Sequence, residues 1–150
     1  MRSVTRQRLR LSGGTELSLL IAGEASKPAV LLMHGVPNSA RMFQEVAPEL
    51  AKVAYVIAPD LPGFGESDVL PNASFPAFAR AITELLERLE IGPRYIYLHD
   101  FGAPVGFEIA MQAPRLGVSC CCLPPSSISI MPAPGSATSS SAIAQLSRSG

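Results

Sequence analysis

At 150 residues with twelve basic and twelve acidic side chains, the chain is long enough for one domain with its own core and has no net charge to draw nucleic acid or an anionic membrane from a distance. Its apolar runs fall short of the ~20 residues of a membrane span, and the Arg-rich start from Met1 to Arg10 lacks the apolar heart of a secretory signal, so a cytoplasmic protein is expected. The three consecutive cysteines, Cys120 to Cys122, are poorly spaced to bridge or to share a tetrahedral metal; they read as small buried apolar residues, and no metal or cofactor is expected.

Val4 to Leu11 and Glu16 to Ala22 flank the turn triplet Ser12-Gly13-Gly14 and read as an antiparallel hairpin. Ala29 to Met33 is a continuous apolar run between a proline and a glycine, as for a strand buried on both faces. From Ser39 onward Met42, Phe43, Val46, Ala47 and Leu50 recur at helical spacing, so a first crossover helix capped by Ser39 or Asn38 is expected. Val53 to Ala58 is the next strand, and it ends in Asp60-Leu-Pro-Gly-Phe-Gly-Glu-Ser67, where two glycines and a proline force an irregular loop. Ser74 then caps a long helix with Phe78, Ile82, Leu85, Leu86 and Leu89 on one face and Arg80, Glu84, Glu87 and Arg88 on the wetter one; Gly92-Pro93 stops it. Tyr95 to Leu98 is a further strand, and Gly102 to Ala113 a helix with Val105, Ile109 and Ala113 on one stripe and Pro104 in its first turn. Strands alternating with helices through short loops imply right-handed crossovers and an α/β fold, a doubly wound, mostly parallel sheet opened by an antiparallel hairpin.

Beyond Pro114 the composition changes. Leu116 to Gly150 has no acidic residue, one basic residue, Arg148, and ten serines. A strand near Val118 to Leu123 fits the alternation, but the rest is biased and aperiodic. The organisation expected is therefore a domain over 1–115 and a disordered Ser/Pro/Cys-rich tail over 116–150.

Three motifs follow three successive strands: His34-Gly35-Val36-Pro37, Asp60 to Ser67, and His99-Asp100-Phe101-Gly102. A strand that ends in a potential nucleophile and turns at once into a helix has the layout of a nucleophile elbow. In this order the three motifs resemble the α/β-hydrolase superfamily, more narrowly the branch of epoxide hydrolases and haloalkane dehalogenases whose nucleophile is aspartate, over roughly residues 15 to 115. The resemblance implies Asp100 as nucleophile, with the backbone N–H groups of Val36 and Phe101 as oxyanion hole. His34, Gly35, Pro37, Asp60, Gly63, Gly65 and Gly102 would build the loops. It also implies a small hydrophobic substrate. Aspartate is ionised at neutral pH and needs no base in order to attack carbon and form an ester.

Two positions depart from that pattern. Leu98 stands where relatives carry a small residue, so either a crowded elbow or a variant branch is expected. Dehalogenases hold the halide with a tryptophan after the nucleophile, whereas this chain has Phe101 and no tryptophan, and the phenylalanine side chain has no N–H to donate; epoxide hydrolase-like chemistry is expected ahead of dehalogenation. The two histidines, His34 and His99, match neither the late catalytic base of the family nor a replacement for it, since His99 should point away from Asp100 across the strand, and no acid follows Glu108. The expectation is a truncated product, or one read out of register after about codon 114, that can be alkylated once without turnover. A non-catalytic interaction protein, self-associating through an open sheet edge, is the alternative.

Overall fold

The computed structural model of the chain describes residues 4–93, 95–112, 119–122 and 129–130. Strand β1 (Thr5–Arg10) pairs antiparallel with β2 (Glu16–Ala22) around the glycine turn, in register from Thr5 opposite Ile21 to Arg10 opposite Glu16. Strands β3 (Ala29–Met33), β4 (Tyr55–Pro59), β5 (Tyr95–Leu98), β6 (Ser119–Cys122) and β7 (Ser129–Ile130) complete a sheet of order β1-β2-β4-β3-β5-β6-β7. The four strands from β4 to β6 run parallel, while β2 on β4 and β7 on β6 are antiparallel. From β3 the chain steps to β4 on one side, then passes back over β3 to β5 on the other. The winding reverses between β3 and β5. The carboxyl ends of two strands that diverge in this way frame a crevice, which is where such sheets bind ligands.

Strand periodicity divides the core between the two faces of the sheet. Leu17, Leu19 and Ile21 of β2 lie on one face with Leu31, Met33, Ile57, Ile96 and Leu98, beneath helices α2 (Phe75–Arg88) and α3 (Gly102–Gln112). Leu20 and Ala22 lie on the other with Leu32, Val56 and Ala58. Helix α2 begins where Ser74 Oγ accepts the Ala77 N–H at 3.2 Å, satisfying one of the first-turn donors. Its buried stripe is Phe78, Ile82, Leu85 and Leu86, as its spacing predicts. Each of these side chains contributes about 1.5–3 kcal/mol by leaving water.

The expected helix over 39–50 is in fact two short pieces, a 3-10 turn (Ala40–Phe43) capped by Ser39 and α1 (Ala47–Leu50). A continuous helix would need the Pro48 nitrogen to donate to the Gln44 carbonyl, but proline has no N–H and its ring would strike that carbonyl. The break rotates Met42 and Val46 into solvent and leaves Phe43 and Ala47 to cover the second face. The strand expected from Val53 begins at Tyr55, and Val53 is 71% exposed. Strand β6 falls within 118–123, where a strand fits the alternation, and continues the parallel register from Tyr95 opposite Ser119 to Leu98 opposite Cys122. The disorder expected for the tail falls for the most part outside the described residues. Among the described residues no helix is long and apolar enough to cross a membrane.

Candidate active site

Asp100 sits at the carboxyl end of β5 with φ 48, a left-handed conformation that non-glycine residues rarely adopt and that persists at functional sites when the surroundings impose it. The turn is closed by Gly102 N–H to His99 O at 2.9 Å and Ala103 N–H to Asp100 O at 3.0 Å, which lead directly into α3. Close packing explains two of the motif glycines. A Cβ on Gly102 would stand 2.8 Å from His34 O and from Met33 Cβ, and one on Gly35 would stand 2.6 Å from Asp100 Cβ. Only glycine lets the β3 loop and the elbow approach this closely.

The Asp100 carboxylate is exposed, and its Oδ2 accepts the Val36 N–H at 3.1 Å. That bond, and next the one from the Phe101 N–H, hold the carboxyl below its ordinary value of 3.8, because donors aimed at an anion favour the charged form. The carboxylate is therefore ionised at neutral pH. The Val36 N–H occupies one carboxylate oxygen, Oδ2, and does not occupy Oδ1. The peptide between Val36 and Pro37 is cis.

Sequence reasoning missed the apolar wall beside this carboxylate. The Phe101 ring lies 5.1 Å from Phe75, 5.7 Å from Phe64 and 6.0 Å from Phe78 between centroids. Four of the six phenylalanines thus gather next to the elbow. The available signal was the placement of Phe64 between two loop glycines; Phe75, three residues before Phe78, reads simply as the first member of the α2 stripe.

Leu98 does not crowd the elbow, which sets aside the first of the two alternatives its position raises. Its side chain is buried against Gly106 of α3, where an added Cβ would overlap Leu98 Cδ2; the bulk moved onto the strand is removed from the helix. Gly106→Ala should therefore destabilise by about 1–3 kcal/mol through overpacking, although alanine is the better helix former by about 1 kcal/mol. In a Leu98→Ala background the same substitution should become stabilising. A double-mutant cycle from urea denaturation reads this change of sign, and simple additivity would show that the two sites do not interlock.

Behind the elbow, His34 is fully buried. Its Nε2 accepts the Leu61 N–H at 2.9 Å, and its Nδ1 lies 2.9 Å from Gly35 O. Both bonds form at once only in the neutral Nδ1–H tautomer. Burial pushes the pKa of this imidazole down from 6.5. Asp60 is also fully buried. Its Oδ1 accepts the Ala40 N–H at 2.7 Å, its Oδ2 accepts Arg6 Nη1 at 2.9 Å and the Glu66 N–H at 3.0 Å, and its carbonyl accepts Ser67 Oγ at 2.7 Å. Gly63 and Gly65 have φ 82 and 55, and a side chain on Gly65 would overlap the Asp60 carboxylate. These residues pack within the loops after β3 and β4. Arg6, their partner from β1, was not foreseen. His99 is exposed and stacks on Tyr97 at 6.5 Å with 9° between the planes. Among the described residues it makes no hydrogen bond to Asp100.

Residues 28–135 match the family described as alpha/beta hydrolase fold, a match that passes the change of composition at Arg115 and takes in β6. An uncharacterized hydrolase of Saccharomyces cerevisiae is 38% identical over 109 residues, 71% of this chain and 38% of the yeast protein. A haloalkane dehalogenase of Bradyrhizobium diazoefficiens is 30% identical over 103 residues, 67% of this chain and 33% of that protein. Of solved structures, epoxide hydrolase CorEH aligns with a TM-score of 0.70 at 27% identity, covering 79% of this chain and 43% of its own. The haloalkane dehalogenase DbeA-M1 loop variant from Bradyrhizobium elkanii aligns with 0.69 at 30% identity, covering 78% and 40%. The chain thus spans well under half the length of these relatives.

Proposed function

Because this chain belongs to the alpha/beta hydrolase fold family, we propose that Asp100 is a nucleophile that opens an epoxide or related electrophile and forms an alkyl-enzyme ester. One observation carries this reading: an ionised carboxylate on a left-handed turn at the sheet's switch point, with one oxygen on the Val36 N–H at 3.1 Å. The other oxygen attacks a ring carbon of the epoxide; a carbon–oxygen bond forms, the ring carbon–oxygen bond breaks, and the resulting alkoxide takes a proton from water. Phe64, Phe75, Phe78 and Phe101 favour a small apolar substrate. The absence of tryptophan favours an epoxide over a halide, since the Phe101 side chain has no N–H with which to hold a departing halide.

Release is the step these 150 residues do not support. Ester hydrolysis needs a base to activate water, and neither histidine is in place for it. His34 has both ring nitrogens engaged in the core, and His99 lies against Tyr97. The proposal is therefore a single alkylation without turnover. Incubation with a reactive epoxide should add the mass of one epoxide, mapped by fragmentation to Asp100. Sustained multiple turnover, or equal labelling of other carboxylates, would overturn it. The reading that the chain runs out of register after about codon 114 has its own test: failure of every other frame of the coding DNA to encode a late Asp and His would sink it.

Exposed apolar residues on α3, Phe107 at 54% and Met111 at 70%, favour a second reading as a non-catalytic interaction protein. An unreactive Asp100 in a soluble chain that forms a defined complex would select it.

A further inference from the structure

The peptide linking Gly35 and Val36 is trans, since the bond from Val36 to Pro37 is the cis one here, so its carbonyl and its N–H point in opposite directions on one rigid plane. The N–H end donates to Asp100 Oδ2 at 3.1 Å. The carbonyl end accepts from His34 Nδ1 at 2.9 Å and from the Asn38 N–H at 2.9 Å, which fills both lone pairs. His34 is itself fixed from behind by the Leu61 N–H at 2.9 Å and by the edge of Phe64, 5.7 Å away between centroids. A continuous line of contacts thus runs from the loop after β4, through the imidazole and one peptide plane, to the carboxylate.

We infer that His34 is a positioning residue that aims the Val36 N–H at Asp100 by gripping the opposite end of the same peptide. It touches no reacting atom. A neutral imidazole suits the task because it offers a donor and an acceptor in a rigid ring, and the two loops it joins present one carbonyl and one N–H. The consequence for rate rests on the reading of Asp100 as nucleophile, whereas the aim of the Val36 N–H does not.

Two conservative variants separate the ends of the ring. The amide nitrogen of His34→Asn falls near Nδ1 and retains the donor to Gly35; His34→Gln reaches toward the Nε2 position and loses that donor. The readout is the pKa of Asp100, followed by NMR titration of its carboxyl carbon in folded protein, because a merely structural role for His34 would not move it. Wild type and His34→Asn should stay below 3.8, and His34→Gln should rise towards that value. Alkylation by the epoxide should slow on the order of tenfold in His34→Gln, as for a reacting group held slightly out of place. Leu86→Ala, a buried truncation on α2, should lower stability and leave the Asp100 pKa unchanged.

Folded His34→Gln with the wild-type Asp100 pKa, equal behaviour of the Asn and Gln variants, or a shift as large in Leu86→Ala would each overturn the inference. In the unsubstituted chain the Val36 amide should be protected from hydrogen exchange, and exchange at the unprotected rate would overturn it as well. If Asp100 is never alkylated while the pKa pattern holds, the positioning role stands and the nucleophile reading falls.

Discussion

Asp60→Ala is expected to cost about 3–5 kcal/mol of stability, the range for removing one partner of a buried charge pair. The carboxylate is fully buried, and three donors end on it: the Ala40 N–H at 2.7 Å, the Glu66 N–H at 3.0 Å and Arg6 Nη1 at 2.9 Å. Truncation leaves two loop N–H groups without an acceptor and a guanidinium, 27% exposed, with only the more distant Glu66 carboxylate at 3.6 Å as counter-charge. Domains of this size have only about 5–15 kcal/mol in hand, so the urea midpoint should fall by about a fifth or more with the slope unchanged. Asp60→Asn should lose less, because one oxygen still accepts from Ala40, but its amide turns a donor toward other donors. Combining it with Arg6→Met should cost less than the sum of the two, and strict additivity would show that the pair is not coupled. The contrast is the pair of Lys52 and Glu49, 62% and 72% exposed, where solvent screening leaves about 0–1 kcal/mol and Lys52→Ala should be almost silent.

The same residues show what could be read before the structure. Strands β3 and β5 and helix α2 were legible because burial writes a local period: Ala29 to Met33 is apolar throughout, and Phe78, Ile82, Leu85 and Leu86 repeat at helical steps. The first crossover was misread because Met42 and Val46 mimic that period across a proline, and Pro48 breaks the helix because it has no N–H to donate. Within the candidate site, Asp100 and Phe101 were legible as an elbow and Val36 as part of the separate His34 to Pro37 motif, since each motif is local in sequence. The supports were not. Arg6 reaches Asp60 across 54 positions, and β1 shows only alternating arginines that suit an exposed edge equally well. Leu98 was legible as a departure, but its compensation at Gly106 lies in the next helix and exists only as a shape. The gathering of Phe64, Phe75, Phe78 and Phe101 depends on how the loop after β4 folds over the elbow, which no periodicity records.

Asp100→Asn should abolish alkylation, since an amide is a poor nucleophile at carbon, and the wild-type pH profile should identify the group responsible. An activated alkyl bromide is the better probe for the profile, because bromide leaves without a proton and the rate then reports the carboxylate alone. Only the ionised form attacks, and the Val36 and Phe101 donors hold the Asp100 carboxyl below 3.8. The rate constant should therefore be flat from neutrality down to that value. Below the folded pKa it should fall about tenfold per pH unit, as the ionised fraction falls. A carboxyl raised by desolvation would instead lose rate between about pH 6 and 4, and a midpoint there would mean that the two N–H donors do not face Asp100 in solution. The amplitude carries the second half of the argument. One equivalent of bromide per chain followed by a halt is the expected result, because the Val36 N–H leaves one carboxylate oxygen free to attack and no base stands ready to hydrolyse the ester. A steady rate after that burst would mean that a group in these residues activates water, and His99→Ala would be the variant to test first, since His99 adjoins Asp100 and its ring is exposed.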